Sequence, residues 1–200
     1  MYKVVFTHNR PDMLARTLDE VKDAVVLGSH PAWDGKRMFY AKWQEAVRRC
    51  LASKSNWFLF LPDDYTNINL KVINKLTQQG WDNAFLAFNV ANCGRTECWG
   101  RHKTNQPDIV VDNITFKEVG FVDCSYLTNR TTLQYLKIEE MPPEWWDRPD
   151  KSSGVGFQNT NQFRRIGVKM MMPTPTLAKH GAHESVMHGS HRLTTPLIAK

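Results

Sequence analysis

An apolar run of strand length, residues 58–61 (FLFL), leads through Pro62 into two adjacent acids, Asp63 and Asp64. Such a run predicts a buried strand, and the ligands of open α/β sheets gather at the carboxyl ends of the strands. Folding does not require two like charges side by side at such a strand end. Because their repulsion must be offset by a cation, a basic partner or water, the pair predicts a metal or phosphate site.

Strand and helix patterns alternate through the first part of the chain. The sequence predicts strands over residues 3–7, 24–27, 56–61 and 83–90, and helices over residues 11–22, 38–53 and 70–79. This order indicates a mostly parallel sheet with right-handed crossovers. We expect the loops 7–10, 28–37 and 62–65 to converge at one edge of that sheet.

The patterns change in the second part of the chain. Strands are predicted over residues 109–111, 117–124 and 168–172, helices over 129–136 and 157–165, and loops over 92–108 and 139–150. The tail, residues 179–200, has no clear periodicity. Because no repeat or linker divides the 200 residues, we predict one α/β domain with helices flanking the sheet and an extended C-terminal tail.

Charge and composition narrow the partners and the compartment. The formal net charge of +6 favours an anionic ligand such as a nucleotide or a nucleic acid. The apolar stretches are too short to cross a bilayer and no signal peptide is evident, so we expect a cytoplasmic protein. In a cytoplasmic chain we expect the four cysteines to be reduced, and the lack of a compact four-ligand set argues against a structural zinc.

The tail is rich in imidazoles, because four of the seven histidines lie between His180 and His191. A proline-rich extended segment precedes His180 and can lay it against the sheet edge beside Asp64. For His183 and His191 a solvated polar tail explains the sequence equally well. A carboxylate pair with one imidazole makes a divalent site with open positions, whose mixed oxygen and nitrogen ligands suit Mn²⁺, with Mg²⁺ as a substitute.

Together these motifs resemble a GT-A-type glycosyltransferase, which uses a nucleotide-diphosphate sugar. The resemblance rests on the turn T-H-N-R-P at residues 7–11, the D-x-D-type acids that end residues 60–64, and the late His180. It implies a single GT-A-like (Rossmann-like) domain over residues 1–200. Its expected parts are a nucleotide-binding half (1–91), an acceptor-side half (92–176) and a metal- and phosphate-contacting tail (177–200).

The resemblance also implies roles for individual residues. Asp64 would coordinate the cation that bridges the donor diphosphate, with Asp63 and His180 as further ligands. The expected contacts to the nucleotide, its ribose or its phosphates come from Thr7, Asn9, Arg10, Asp34, Lys36, Asp63, His188 and Arg192. The nucleotide sugar is thus the expected partner, with a UDP-sugar favoured, and neither a membrane nor an obligate protein partner is expected.

The expected catalytic base is missing from its usual place. Inverting members of the class carry an acidic pair at the start of the late helix, where this chain reads S-S-G-V-G-F-Q-N (152–159). A transferase still needs a group that takes the proton of the acceptor hydroxyl. The nearest upstream acids are Asp147 and Asp150, and we favour Asp147 because Trp146 beside it can stack on a sugar or base. Packing of that loop explains the tryptophan equally well, and inversion versus retention stays open.

The acceptor is suggested by the tail. The segment S-V-M-H-G-S-H-R (185–192) resembles small glycosyltransferases encoded by bacteriophages, some of which modify hydroxymethylated pyrimidines in phage DNA. A double-stranded DNA acceptor agrees with the basic charge, because phosphate contacts dominate nucleic-acid affinity. A surface glycan or a protein would fit the same core.

A metal-dependent nucleotidyltransferase or nuclease is the competing class. The first would need a glycine-rich loop near the first strand, and the second more clustered acids. A pure DNA-binding module would leave the acid pair unexplained.

Overall fold

The computed structural model describes residues 1–8, 10–28, 35–81, 83–91, 108–139 and 155–180, with the side chains of residues 35–37 outside the description. The helices are α1 (Pro11–Glu20), α2 (Gly35–Ala52), α3 (Leu70–Thr77), α4 (Arg130–Leu133) and α5 (Val155–Arg165). The strands are β1 (Tyr2–Phe6), β2 (Val25–Leu27), β3 (Trp57–Pro62), β4 (Tyr65–Thr66), β5 (Leu86–Asn89), β6 (Ile109–Val111), β7 (Ile114–Val119), β8 (Tyr126–Asn129), β9 (Lys169–Thr174) and β10 (Lys179–His180).

A central sheet of eight strands has the order β2-β1-β3-β8-β5-β9-β7-β6, and β4 pairs separately with β10. The parallel pairs are β1 with β2, β1 with β3, and β5 with β9. Strand β8 runs antiparallel between β3 and β5, so those two strands point the same way. The sheet is therefore mixed, with antiparallel β7 and β6 at its far edge. The predicted α/β class is confirmed.

Helices pack on both faces of the sheet, and β3 shows how the sequence achieves this. Phe58 and Phe60 point to the face covered by α2 and α5, where they join the cluster that contains Trp43. Leu59 and Leu61 point to the other face and join the cluster that contains residues of α3. Successive strand side chains alternate between faces. A strand covered on both sides therefore needs the unbroken apolar run that residues 58–61 provide.

The predicted strand over residues 117–124 is confirmed for residues 117–119 and wrong for residues 120–124. The structure has β7 over Ile114–Val119 and begins a new strand, β8, only at Tyr126. Strand β8 carries polar side chains that are buried yet bonded: the Thr128 hydroxyl donates to the Leu86 carbonyl (2.7 Å) and the Asn129 amide to the Ala84 carbonyl (2.7 Å). Because these partners come from other elements, hydrophobicity along the chain could not mark β8. No helix in the described ranges is long and apolar enough to span a membrane.

Candidate functional site

Asp63 is the anchor of the loops that meet at the end of β3. Its backbone N–H donates to the Phe6 carbonyl (2.9 Å), which extends the pairing of β1 with β3. Its carboxylate accepts from the Thr7 hydroxyl (2.7 Å), from the His8 backbone N–H (3.1 Å) and from the Arg10 guanidinium. The side chain is fully buried. Asp63 therefore fixes the turn that follows β1, and its predicted contact with a cation or nucleotide stays a prediction.

Two neighbouring helices hold the same loops from behind. The buried Thr17 hydroxyl of α1 lies 2.8 Å from the Asp63 carbonyl and 2.9 Å from the Tyr65 carbonyl, so it pins the turn between β3 and β4. On the other side, the Lys42 ammonium of α2 donates to the Thr7 carbonyl (2.6 Å). The backbone around the acid pair is thus held by buried polar contacts from both faces of the sheet.

The partly exposed His180 contacts the buried Asp64 at the edge of the site. The short strand β10 pairs antiparallel with β4 and sets His180 opposite Tyr65. This pairing places the His180 Nε2 atom 3.3 Å from the Asp64 Oδ2 atom. The same oxygen lies 3.5 Å from the Arg10 Nη2 atom. The structure thus brings together Arg10, Asp64 and His180, three predicted site residues from separate parts of the chain.

The charges around the site shift the pKa values of its bases in opposite directions. Burial by itself lowers the pKa of His180, but the hydrogen bond and negative charge of Asp64, helped by Asp123, outweigh burial and raise it. For His8, burial and then the charges of Lys42 and Arg10 outweigh the opposing charges of Asp63 and Asp64 and lower its pKa to about 4. Burial likewise lowers the pKa of Lys42 to about 8. His8 is therefore neutral at pH 7, whereas His180 keeps its proton to a higher pH than a free imidazole does.

The donor set of the site fits a divalent cation. Asp64 offers a carboxylate oxygen and His180 an imidazole nitrogen at one point, the mixed set that Mn²⁺ accepts. Within the described ranges, no group of three or more His, Cys, Asp or Glu side chains is arranged to hold an ion. This pair suits a cation that takes its other ligands from phosphate oxygens and water.

Ser125 and Asp123, two residues that the sequence did not suggest, lie at the same edge of the sheet. The Ser125 hydroxyl, just before β8, donates to the buried Tyr65 hydroxyl (2.9 Å). Burial raises the pKa of Tyr65 well above its ordinary value, and the charges of Asp123 and Asp64 raise it further. Asp123 is therefore within electrostatic reach of both Tyr65 and His180. No sequence signal marked it, because residues 117–124 were predicted to be a strand.

The other predicted site residues are not placed by the structure. Lys36 belongs to α2, but its side chain is outside the description. The remaining ones lie outside the described residues altogether: Asn9, Asp34, Asp147, Asp150, His188 and Arg192.

Comparison with known proteins bears on the fold. No protein-family model matches the sequence, and no curated protein matches it. Among solved structures, A197 from STIV is similar over 90% of this chain and 85% of its own, with a TM-score of 0.50 and 14% identity. A glycosyltransferase involved in the glycosylation of the major capsid of PBCV-1 aligns over 93% and 85%, with a TM-score of 0.43 and 14% identity. At such identity, the likeness to A197 supports the α/β architecture alone.

Proposed function

We propose that this chain is a glycosyltransferase that moves a sugar from a nucleotide-diphosphate donor, with a UDP-sugar favoured, to a hydroxyl acceptor. The observation that carries the proposal is the pairing of Asp64 with His180 at 3.3 Å, at the carboxyl end of the β1–β3 half of the sheet. Nucleotide ligands of α/β sheets bind at that end. A carboxylate and an imidazole there would hold the Mn²⁺ or Mg²⁺ ion that a diphosphate needs.

The turn after β1 provides the donor side of the site. Arg10 contacts both acids and keeps 14% of its side chain exposed, so a ligand can reach the guanidinium. Cleavage of the sugar–phosphate bond leaves negative charge on the diphosphate, which fixed positive charges stabilise as it develops. A divalent cation held by Asp64 and His180 would neutralise part of the same negative charge on the diphosphate. Asp63, buried beneath, keeps Arg10 and Thr7 in place for the nucleotide.

The inward orientation of Asp63 favours this function over a two-metal nuclease or nucleotidyltransferase. Two-metal sites use several carboxylates that face a shared pair of ions. Here the Asp63 carboxylate accepts from Thr7, His8 and Arg10 of its own chain, whereas Asp64 lies beside His180. The arrangement supports one cation bound to a diphosphate.

The acceptor is proposed on chemistry alone. The net charge of +6 favours a polyanion, and a 5-hydroxymethylpyrimidine in double-stranded DNA offers the required hydroxyl. The test is transfer of labelled sugar to matched duplexes with hydroxymethylcytosine or cytosine. Incorporation only into the first supports the DNA acceptor, and incorporation into neither points to a glycan or protein.

Thermal unfolding tests the donor. The purified chain is heated with UDP-glucose, UDP-galactose, UDP-N-acetylglucosamine, GDP-mannose or dTDP-glucose, each with Mn²⁺ or with EDTA. A donor at 100 times its Kd stabilises by about 2.7 kcal/mol, which for a domain of this size raises Tm by roughly 5–10 °C. The shift should require Mn²⁺ and disappear in Asp64→Asn and in His180→Ala, while Asp112→Asn, on the remote β6–β7 turn, keeps it. A wild type that no nucleotide sugar stabilises with Mn²⁺ would refute the proposal.

A further inference from the structure

The residues that carry the proposed function bind the donor, and the base expected from the sequence, Asp147, lies outside the described residues. Helix α5 begins at Val155 without an acid in its first turn. A carboxylate from a different segment nevertheless lies against that helix start. A Cβ atom on Gly156 would stand 3.4 Å from the Asp123 Oδ1 atom and 3.2 Å from the Val122 carbonyl oxygen. The segment between β7 and β8 thus places an acid beside the first turn of α5.

We propose that Asp123 is the general base of the transfer reaction, supplied by the β7–β8 segment. The inference rests on the proposed function and adds to it the group that activates the acceptor. Asp123 lies at the same sheet edge as Asp64, because β8 is antiparallel to β3 and its first residue, Tyr126, pairs with Phe60 near the end of β3. Its charge also reaches the site, since it contributes to the raised pKa of His180.

Hydrogen bonds fix the backbone around Asp123, so that its carboxylate is held in position as a general base requires. Its N–H donates to the Asn89 Oδ1 atom (3.0 Å), and the buried Asn89 amide donates in turn to the carbonyls of Phe121 (3.0 Å) and Met171 (3.1 Å). The Cys124 N–H donates to the Asp123 Oδ1 atom (2.7 Å), which orients the carboxylate. The residue itself remains exposed, so an acceptor can approach it.

The chemistry is a single displacement. The Asp123 carboxylate takes the proton of the acceptor hydroxyl as the acceptor oxygen bonds to the anomeric carbon of the sugar. The bond from that carbon to the diphosphate oxygen breaks, and its electron pair leaves with the nucleoside diphosphate. Because the acceptor attacks from the side opposite the leaving group, the product has the inverted anomeric configuration.

Donor hydrolysis, in which water is the acceptor, tests the role of Asp123. The donor is the nucleotide sugar of the panel that stabilises the wild type with Mn²⁺, and released nucleoside diphosphate is measured by chromatography. Asp123→Asn keeps an oxygen that can accept the Cys124 N–H but cannot take a proton. We expect an unchanged thermal shift by the donor and hydrolysis slower by about 100-fold or more. Asp112→Asn, another surface Asp-to-Asn change, should leave both properties at the wild-type level.

A second measurement does not depend on the folding of a variant. Proton NMR of the wild-type reaction identifies the first-formed anomer of the released sugar, and inversion is expected. Retention overturns the inference, as does an Asp123→Asn hydrolysis rate within about threefold of the wild type. A parallel loss of donor binding in Asp123→Asn would make it a binding residue and also overturns the inference.

Failure of the proposed function itself looks different, because then no donor stabilises even the wild type. A wild type that binds and hydrolyses a donor at a rate that Asp123→Asn leaves within about threefold contradicts the role of Asp123 alone.

Discussion

The two adjacent acids are predicted to respond very differently to the same substitution. In Asp63→Asn the amide keeps the shape of the side chain and an oxygen for the Thr7 hydroxyl and the His8 N–H, but it places a neutral group against the Arg10 guanidinium. In Asp64→Asn the altered contacts with His180 and Arg10 are 3.3 and 3.5 Å long in the native protein. The pair therefore provides its own matched control.

The expected cost of Asp63→Asn follows from the burial of the ion pair. Removal of one partner from a buried pair costs about 3–5 kcal/mol, because a charge is left uncompensated. Arg10 keeps 14% of its side chain exposed and keeps Asp64 nearby, so we take the lower end, about 3 kcal/mol. Loss of charge assistance in the bonds from Thr7 and His8 adds about 1 kcal/mol. For Asp64→Asn we expect about 1 kcal/mol or less, because the contacts are long and the repulsion between the acids is relieved.

Urea unfolding at pH 7, followed by circular dichroism, measures both free energies, and equal m-values would show that the native states are comparable. The two variants should differ by about 3 kcal/mol, with a Tm difference of roughly 6–12 °C. A double-mutant cycle of Asp63→Asn with Arg10→Gln should give a coupling of about 2 kcal/mol. Equal destabilisation by the two Asp-to-Asn changes, or a coupling near zero, would refute the assignment of Asp63 as the anchor.

Two further predictions concern pH and Gly156. The lowered pKa of His8 means that only the unfolded chain binds this proton between pH 6.5 and about 4, so stability rises with pH across that window by on the order of 3 kcal/mol. His180, whose pKa is raised, contributes in the opposite sense: its stabilisation is present below pH 6.5 and lost as pH rises through the folded value. Urea unfolding at a series of pH values from 4 to 7 should therefore show that the free energy of unfolding rises less with pH in His8→Gln than in the wild type. An equal rise in the two proteins would contradict the burial of a neutral His8. Gly156→Ala gains up to about 1 kcal/mol of helix propensity but presses a methyl group on the Val122 carbonyl, so we expect a free energy of unfolding within about 1 kcal/mol of the wild type. Donor hydrolysis should become slower while donor binding is retained. Unchanged hydrolysis would show that the contact between Gly156 and the 122–123 segment does not position Asp123.

The first part of the fold could be predicted because its signals are local. Strand β3 and the second half of β1 are apolar on both faces, and α2 repeats its apolar residues at helical spacing, so each element is visible within its own segment. Strand β8 could not be found in this way. Its Thr128 and Asn129 are buried because the carbonyls of Leu86 and Ala84 accept their hydrogen bonds, and that pairing exists only after the sheet has formed.

The same contrast between local signals and contacts that form only in the folded sheet explains which parts of the candidate site could be predicted. The strand pattern marked the end of β3, and the extended segment before His180 suggested its return to that edge, so the meeting of Asp64 and His180 could be anticipated. Sequence could not separate the two acids, since adjacent side chains at the end of a strand point to different sides and nothing local says which side is filled. The position of Asp123 depends on the register of β8, and the error in that strand concealed it.

The separation of the two acids also resolves the repulsion that made them conspicuous. Arg10 lies against both carboxylates, but its closer contact is with the fully buried Asp63, whose remaining lone pairs accept from Thr7 and His8. That acid is thereby satisfied within the protein and has little to gain from an external cation. Asp64 shares the edge with His180, whose nitrogen can exchange a proton for a metal ion. A pair of identical residues thus gives one rigid support and one carboxylate that remains for the proposed cation, and the support is what would keep that carboxylate in position.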